Sequence, residues 1–307
     1  MMQEGAFREA NPDSHDRKLT LLACGKINLC LDVVGRRPDG YHDLRSIFQS
    51  ISLADELTLR VMPGSDGIYL RCDHPGVPEG PANLAWRAAR LLLDRFDGQA
   101  GVQIDIRKRI PIAAGLGGGS ADAAAALLGL RKLLELPISD GELARIGKEL
   151  GADVPFCLRG GTALAEGIGD VLEDIPCSPS YAVLVVTPRL HVSTAEVFRA
   201  FDPAKVDRRP SVERMRGHLE RSCLAGVAGE MVNVLETVTF ALHPQVAAWA
   251  KRMQELTPGA VMSGSGPSII GLFADLDHAR RAMAELEQED VFLWCGLPAP
   301  RGVREVK

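Results

Sequence analysis

No C-x-x-C pair, no H-E-x-x-H run and no G-x-x-x-x-G-K-[ST] stretch occurs in the 307 residues. The seven cysteines, Cys24, Cys30, Cys72, Cys157, Cys177, Cys223 and Cys295, are odd in number and scattered. That argues against a disulfide framework or a zinc site and leaves buried free thiols in a reducing cytoplasm. The histidines follow no metal-binding spacing either. No uncharged apolar run of about 18 residues exists outside one Ala/Gly-rich stretch, which is too small-sided for a membrane span. The N-terminal "MMQEGAFREANPDSHDRKLT" has no apolar core of signal-peptide type. The formal net charge of -5 argues against a non-specific nucleic-acid binder. A soluble cytoplasmic chain with no membrane, no nucleic acid and no evident obligate protein partner is the expectation that remains.

Against those absences, hydrophobic residues make up 46% and charged residues 24%, enough to bury a sizeable core. The length suggests two domains. Strand-like patterning occupies "LTLLACGKINLCLDVVG", "SIFQSISLADELTLRV" and "VQIDIRKRIP"; helical spacing occupies "NLAWRAARLLLDRF" and the Ala-rich run through about Leu136. "SDGELARIGKELG" reads as a helix with Ser139 as N-cap and Gly151 at its stop. After Pro176, "YAVLVVTP", "AVMSGSGPSIIGLFA" and "VFLWCGLPA" read as strands, with helices at "STAEVFRAF", "HPQVAAWAKRMQEL" and "DHARRAMAELEQE". Strands and helices mix without regular alternation, which predicts an α+β fold. The expected organisation is a polar tail over 1–18, an N-terminal domain over 19–175 and a C-terminal domain over 176–307.

The most distinctive stretch is "PIAAGLGGGSADAAAAL", Pro111 to Leu127. A helix N-terminus presents unpaired N–H groups and a partial positive charge, and glycines let a phosphate approach the backbone. The loop from Ala114 to Gly119, with Ser120 near the helix start, suits an anion. It is not a dinucleotide fingerprint, because Ser120 stands at the third glycine position. A connector whose glycines serve only tight packing stays open on this pattern alone.

This stretch resembles the central motif of the galactokinase, homoserine kinase, mevalonate kinase and phosphomevalonate kinase (GHMP) superfamily. "KINLCLDVVGRRPDGYHDL" before it and "VMSGSGPSIIGLF" after it agree in order. "GADVPF", "GGTALAEGIGD" and "NVLE" are similar to the branch that acts on a cytidine diphosphate ester of methylerythritol. The resemblance runs from about Leu19 to near Leu297. It implies a two-domain fold, the first domain like domain 2 of ribosomal protein S5 and the second ferredoxin-like. It also implies transfer of the ATP γ-phosphoryl group to an alcohol of a small-molecule substrate, with Mg²⁺. Homoserine or mevalonate kinase activity is the alternative within the superfamily, and "RRPDGYHDL" is what those members lack in this form. A non-catalytic nucleotide- or RNA-binding protein is the alternative outside it.

By the same resemblance Asp153 is the catalytic aspartate and Lys26 the active-site lysine, with Asn28 on the same strand face binding substrate. Tyr41 would stack on cytosine and His42 would bond its edge. Phe198, or helix core, and Thr194 would complete the substrate side, with Gly264 and Ser265 of the second glycine loop. Asn83 would lie near adenine, although its place before "LAWRAARLLLDRF" equally suits an N-cap. The ATP side takes Pro111, Ala114, Gly115, Leu116, Gly117, Gly118, Gly119 and Ser120. Ser120 is also the one candidate metal ligand, unless it merely caps its helix. The chain departs from the pattern in its N-terminal tail and at Cys157, where an aromatic is frequent.

Overall fold

The computed structural model describes residues 17–62, 64–96, 100–287 and 290–306. The expected polar tail over 1–18 lies outside the described residues except for Arg17 and Lys18, and Lys18 already pairs with Arg60. Two long strands, β1 (Lys18–Arg36) and β2 (His42–Met62), form an antiparallel hairpin. From Ile51 to Val61 buried and part-buried residues of β2 alternate, the period-two pattern of a strand with one face on the core. β3 (Ile68–Cys72), β4 (Gly101–Arg107), β5 (Thr162–Gly167) and β6 (Val171–Asp174) extend this sheet. The long β2 takes β5 along its first half and β4 along its second.

One face of the sheet is covered by α1 (Leu84–Arg95) and α2 (Gly118–Leu133). The alanine run explains how: Ala121 and Ala123 to Ala126 are wholly buried, so α2 lies close on the strands. At Gly129 even a methyl group would come within 2.3 Å of Leu59 and 2.7 Å of Leu21. Beside α2 pack α3 (Asp140–Leu150) and the short α4 (Val154–Arg159). Ser139 caps α3 through the Glu142 N–H at 3.2 Å, and Gly151 ends it.

A second, four-stranded antiparallel sheet holds β7 (Ala182–Pro188), β8 (Gly259–Met262), β9 (Ile269–Phe273) and β10 (Val291–Gly296) in the order β10-β7-β9-β8. That is the 4-1-3-2 order of a ferredoxin-like unit. Between β7 and β8 run α5 (Thr194–Ala200), α6 (Val212–Glu220), α7 (Leu224–Glu230), α8 (Glu236–Leu242) and α9 (Pro244–Leu256); α10 (Leu276–Ala284) precedes β10. The fold is α+β. The last strand, β11 (Val303–Glu305), returns to pair with β1 in the first sheet. We propose 19–175 and 176–307 as the two units, with β11 lent by the second to the first.

Candidate active site

A cavity of about 600 Å³ opens between the two sheets. Its floor is built by β1. Register shifts at Cys24/Lys26 and Asn28/Cys30 place an irregularity on either side of the Lys26–Asn28 segment. Bulges of this kind re-aim side chains, and here Lys26 and Asn28 line the cavity while Ile27 is wholly buried in the core. The Lys26 ammonium donates to Asn28 Oδ1 at 2.9 Å, lies 3.4 Å from Asp153 Oδ2 and sits 4.6 Å from the centre of the Phe48 ring. Asn28 is fixed in turn: its Nδ2 donates to Ser46 Oγ at 2.8 Å, and Ser46 donates to the Cys30 carbonyl.

Asp153 stands at the N-cap position of α4, yet its side chain makes no capping hydrogen bond. The carboxylate lines the cavity instead and meets Lys26. Asp153 is thus a helix-end residue whose side chain, 30% exposed, meets Lys26 and does not cap the helix.

The glycine loop lies beside Lys26, and a Cβ at Gly117 would stand 2.9 Å from Lys26 Cγ. Ala113, Gly115 and Gly117 have φ of 51°, 76° and 69°, and this alternation of left-handed residues turns successive N–H groups toward one concavity. Gly117 is the N-cap of α2 and has no side chain to offer. The first bond of the helix runs from the Ala121 N–H to Gly117 O at 2.9 Å. The N–H groups of Gly118, Gly119 and Ser120 are therefore the orphan donors of a helix N-terminus, and all three residues line the cavity. Ser120 is inside the helix and does not cap it, which removes that alternative. Pro111, Ala114, Gly115 and Gly117 line the cavity too. Leu116 does not: its side chain is core, and only its carbonyl works locally, accepting from the Lys26 N–H at 2.9 Å.

The second glycine loop meets the first face to face. Ser263 Oγ donates to Gly115 O at 2.9 Å and accepts from the Asn28 N–H at 3.2 Å. Asn233 holds the loop from behind, its Nδ2 donating to Met262 O at 2.8 Å and Gly264 O at 2.7 Å. Gly264 and Ser265 line the cavity, and Ser265 and Thr194 share a hydroxyl hydrogen bond at 2.7 Å.

The substrate-side aromatics divide. Phe198 lines the cavity and also packs on the second core. His42 lies outside the lining, its ring 5.3 Å from that of Phe198 and edge-on to Phe201 at 6.5 Å. Burial, then the charge of Arg36, lower the His42 pKa, which favours the neutral ring. Tyr41 is 62% exposed at the hairpin turn and does not line the cavity. Asn83 borders the cavity, but Oδ1 caps α1 through the Ala85 N–H at 2.8 Å and Nδ2 donates to Pro78 O at 2.9 Å. Its amide is committed to the fold first.

Sequence reasoning missed Lys108 and Asp122, which line the cavity, and Asp55 behind them. Lys108 Nζ binds Asp55 Oδ2 at 2.5 Å and Asp122 Oδ2 at 2.8 Å, all three side chains being at most 5% exposed. Burial alone would lower the Lys108 pKa; the two carboxylates overcome it and hold the ammonium charged. Burial pushes the Asp122 carboxyl up, against the pull of Lys108. Asp55 Oδ1 also accepts from the N–H groups of Arg109 and Ile110, fixing the chain that enters the glycine loop. The run of three cations, Arg107 to Arg109, directly before the loop was the available signal.

For a metal, the described residues offer no cluster of three or more His, Cys, Asp or Glu side chains. The Ser120 hydroxyl and the Asp153 carboxylate on one cavity wall are hard oxygen donors. They suit an Mg²⁺ held mostly by phosphate and water and not by a protein cage.

Residues 83–161 match the GHMP kinases N terminal domain and residues 215–291 the GHMP kinases C terminal domain. The chain is 46% identical over 271 residues to the 4-diphosphocytidyl-2-C-methyl-D-erythritol kinase of Pelobacter propionicus, covering 88% of this chain and 95% of the relative. It is 47% identical over 274 residues to the protein of the same name in Moorella thermoacetica, again with 88% and 95% covered. A crystal structure of 4-(cytidine 5'-diphospho)-2C-methyl-D-erythritol kinase superposes with a TM-score of 0.78 at 39% identity, over 92% of this chain and 99% of that one.

Proposed function

This chain belongs to the GHMP kinases and, within them, to the 4-diphosphocytidyl-2-C-methyl-D-erythritol kinases, and from that premise we propose how its cavity works. The reaction is ATP-dependent phosphorylation of the 2-hydroxyl of 4-diphosphocytidyl-2-C-methyl-D-erythritol, a step of isoprenoid-precursor biosynthesis. The observation that carries the reading is the Lys26–Asp153 contact at 3.4 Å, in one cavity with the uncapped N-terminus of α2.

The polyphosphate of ATP lies on the N–H groups of Gly118, Gly119 and Ser120, where the helix dipole favours negative charge. The substrate hydroxyl sits against Asp153. As its oxygen attacks the γ-phosphorus, the β–γ bridge bond breaks, ADP leaves and the hydroxyl proton passes to the Asp153 carboxylate. Lys26, held by Asn28 and by the Phe48 ring, keeps a fixed positive charge beside the reacting oxygens and needs no reorganisation to do so. Mg²⁺, when bound with ATP, neutralises phosphate charge, and the Ser120 hydroxyl is the side chain best placed to hold it. The substrate's cytidine end points toward Phe198 and Thr194; His42 acts by backing Phe198. Tyr41, on an exposed turn, reaches the base only if the hairpin folds over a bound substrate.

The test is a phosphorus-NMR product assay with ATP and Mg²⁺ on three alcohols. The cytidine diphosphate substrate should gain a phosphate, with mevalonate and homoserine untouched. Equal or better turnover of either of those two would reduce the reading to the superfamily.

A further inference from the structure

A second cavity, of about 650 Å³, is as large as the first and shares no lining residue with it. Its walls include Leu128 of α2, Leu143 and Ala144 of α3, and Leu158 of α4. Three arginines line it, Arg131, Arg159 and Arg301, against two carboxylates, Asp140 and Asp170. Both carboxylates are already engaged, Asp140 with Arg131 at 2.6 Å and Asp170 with Lys148. Arg159 meets Asp174 at 3.1 Å. Arg301 is exposed and has no ion pair among the described residues. A chamber of this size that sets leucine side chains beside one guanidinium group without an ion pair, that of Arg301, matches an apolar chain that ends in an anion.

The cavity borders the catalytic machinery from behind. Pro155, Leu158 and Arg159 of α4 line it, and the N-cap of that helix is Asp153. Asp170 lines it as well, and Asp170 Oδ1 accepts from the Ile168 N–H at 3.1 Å. Ile168 lines the first cavity, and at Gly169 a Cβ would lie 3.8 Å from Asp153 Oδ1. A ligand in the second cavity therefore presses on both the helix and the turn that set the Asp153 carboxylate. Interiors this closely packed transmit such a displacement.

We propose that this cavity is a regulatory site for a small amphipathic anion, a short apolar chain carrying a terminal phosphate, coupled to Asp153 through α4 and the Asp170 turn. Hexyl phosphate titrated calorimetrically into the full chain should bind saturably, with inorganic phosphate and hexanol each weaker by about tenfold or more. Arg301→Glu should weaken it by about 10- to 100-fold, the scale of one charge-assisted contact. Ala144→Phe, which fills the chamber, should abolish it. Arg301→Glu should keep wild-type turnover without ligand, since its side chain does not reach the first cavity. Saturating hexyl phosphate should change kcat at least twofold with the KM for ATP unmoved, and not at all in Ala144→Phe; should that variant fail to fold, Arg301→Glu decides. Displacement by a non-hydrolysable ATP analogue, equal affinity for inorganic phosphate, indifference to both substitutions, or an unchanged kcat would each overturn the proposal. The binding measurements do not depend on which alcohol the enzyme phosphorylates, so their failure leaves the reading of the first cavity intact.

Discussion

Two glycines of one loop should respond to the same substitution with opposite signs. At Gly115, φ is +76° and a Cβ would stand 2.1 Å from Ser263 O, a backbone atom of the facing loop. Gly115→Ala therefore meets left-handed strain of about 1–2 kcal/mol and an overpacking cost of about 1–3 kcal/mol. It also pushes apart the loops joined by the 2.9 Å Ser263–Gly115 bond. A loss of about 2–5 kcal/mol should lower the apparent Tm by roughly 5–10 °C. At Gly119, in the first turn of α2, a Cβ would meet only Leu84 Cδ1 at 3.7 Å, an ordinary contact. Gly119→Ala should therefore hold or raise stability, by up to about 1 kcal/mol from helix propensity. Its methyl group, however, crowds an N–H where phosphate should dock. ATP-analogue affinity should fall by roughly 10- to 100-fold, the cost of about one charge-assisted hydrogen bond. Scanning calorimetry and isothermal titration of the two variants read the two axes separately. Normal ATP binding by a folded Gly119→Ala would show that the loop is only a connector, and an unshifted Tm for Gly115→Ala would show that the two loops do not meet as described.

Asp153→Asn and Lys26→Ala should each lower kcat by roughly 10²-fold or more while ATP-analogue binding changes far less; near-normal kcat in a folded Asp153→Asn would name the wrong carboxylate. Lys108→Met strands two buried carboxylates and should cost about 3–5 kcal/mol by denaturant unfolding, whereas an effect below about 1 kcal/mol would mean the trio is solvated. Burial, opposed by the Met262 N–H, raises the Glu236 pKa to about 7. A raised carboxyl favours the folded state while protonated and loses that contribution as pH climbs from the unfolded value, near 4.3, through 7. Glu236→Gln should thus gain on the wild type by roughly 2–3 kcal/mol between pH 5 and 8, and a pH-independent difference would place the carboxyl in water.

Much of the local structure was legible in the residues because its causes are local. The spacing of apolar residues set α1, Ser139 and Gly151 bounded α3, and the glycine cluster before the alanine run marked the start of α2. The strand-turn-strand at "AVMSGSGPSIIGLFA" stands as β8 and β9. The short strands β3, β6 and β11 were not legible, because five, four and three residues carry too little period to declare a strand without its partner. Tyr41 and His42, adjacent in sequence, part company where β2 begins: one faces solvent and the other leans on Phe198 from a distant helix. Sequence alone determined which helix starts without a capping side chain, since the glycines before it are a property of the chain itself. Only the tertiary structure decided what stands beside that helix end. Lys26 meets Asp153 and Lys108 meets Asp55 and Asp122 where helices pack on the first sheet, and Ser263 of the second unit joins Gly115 to Asn28 of the first. Charge pairing and close backbone approach act over a few ångströms of space, and spacing along the sequence has no term for them.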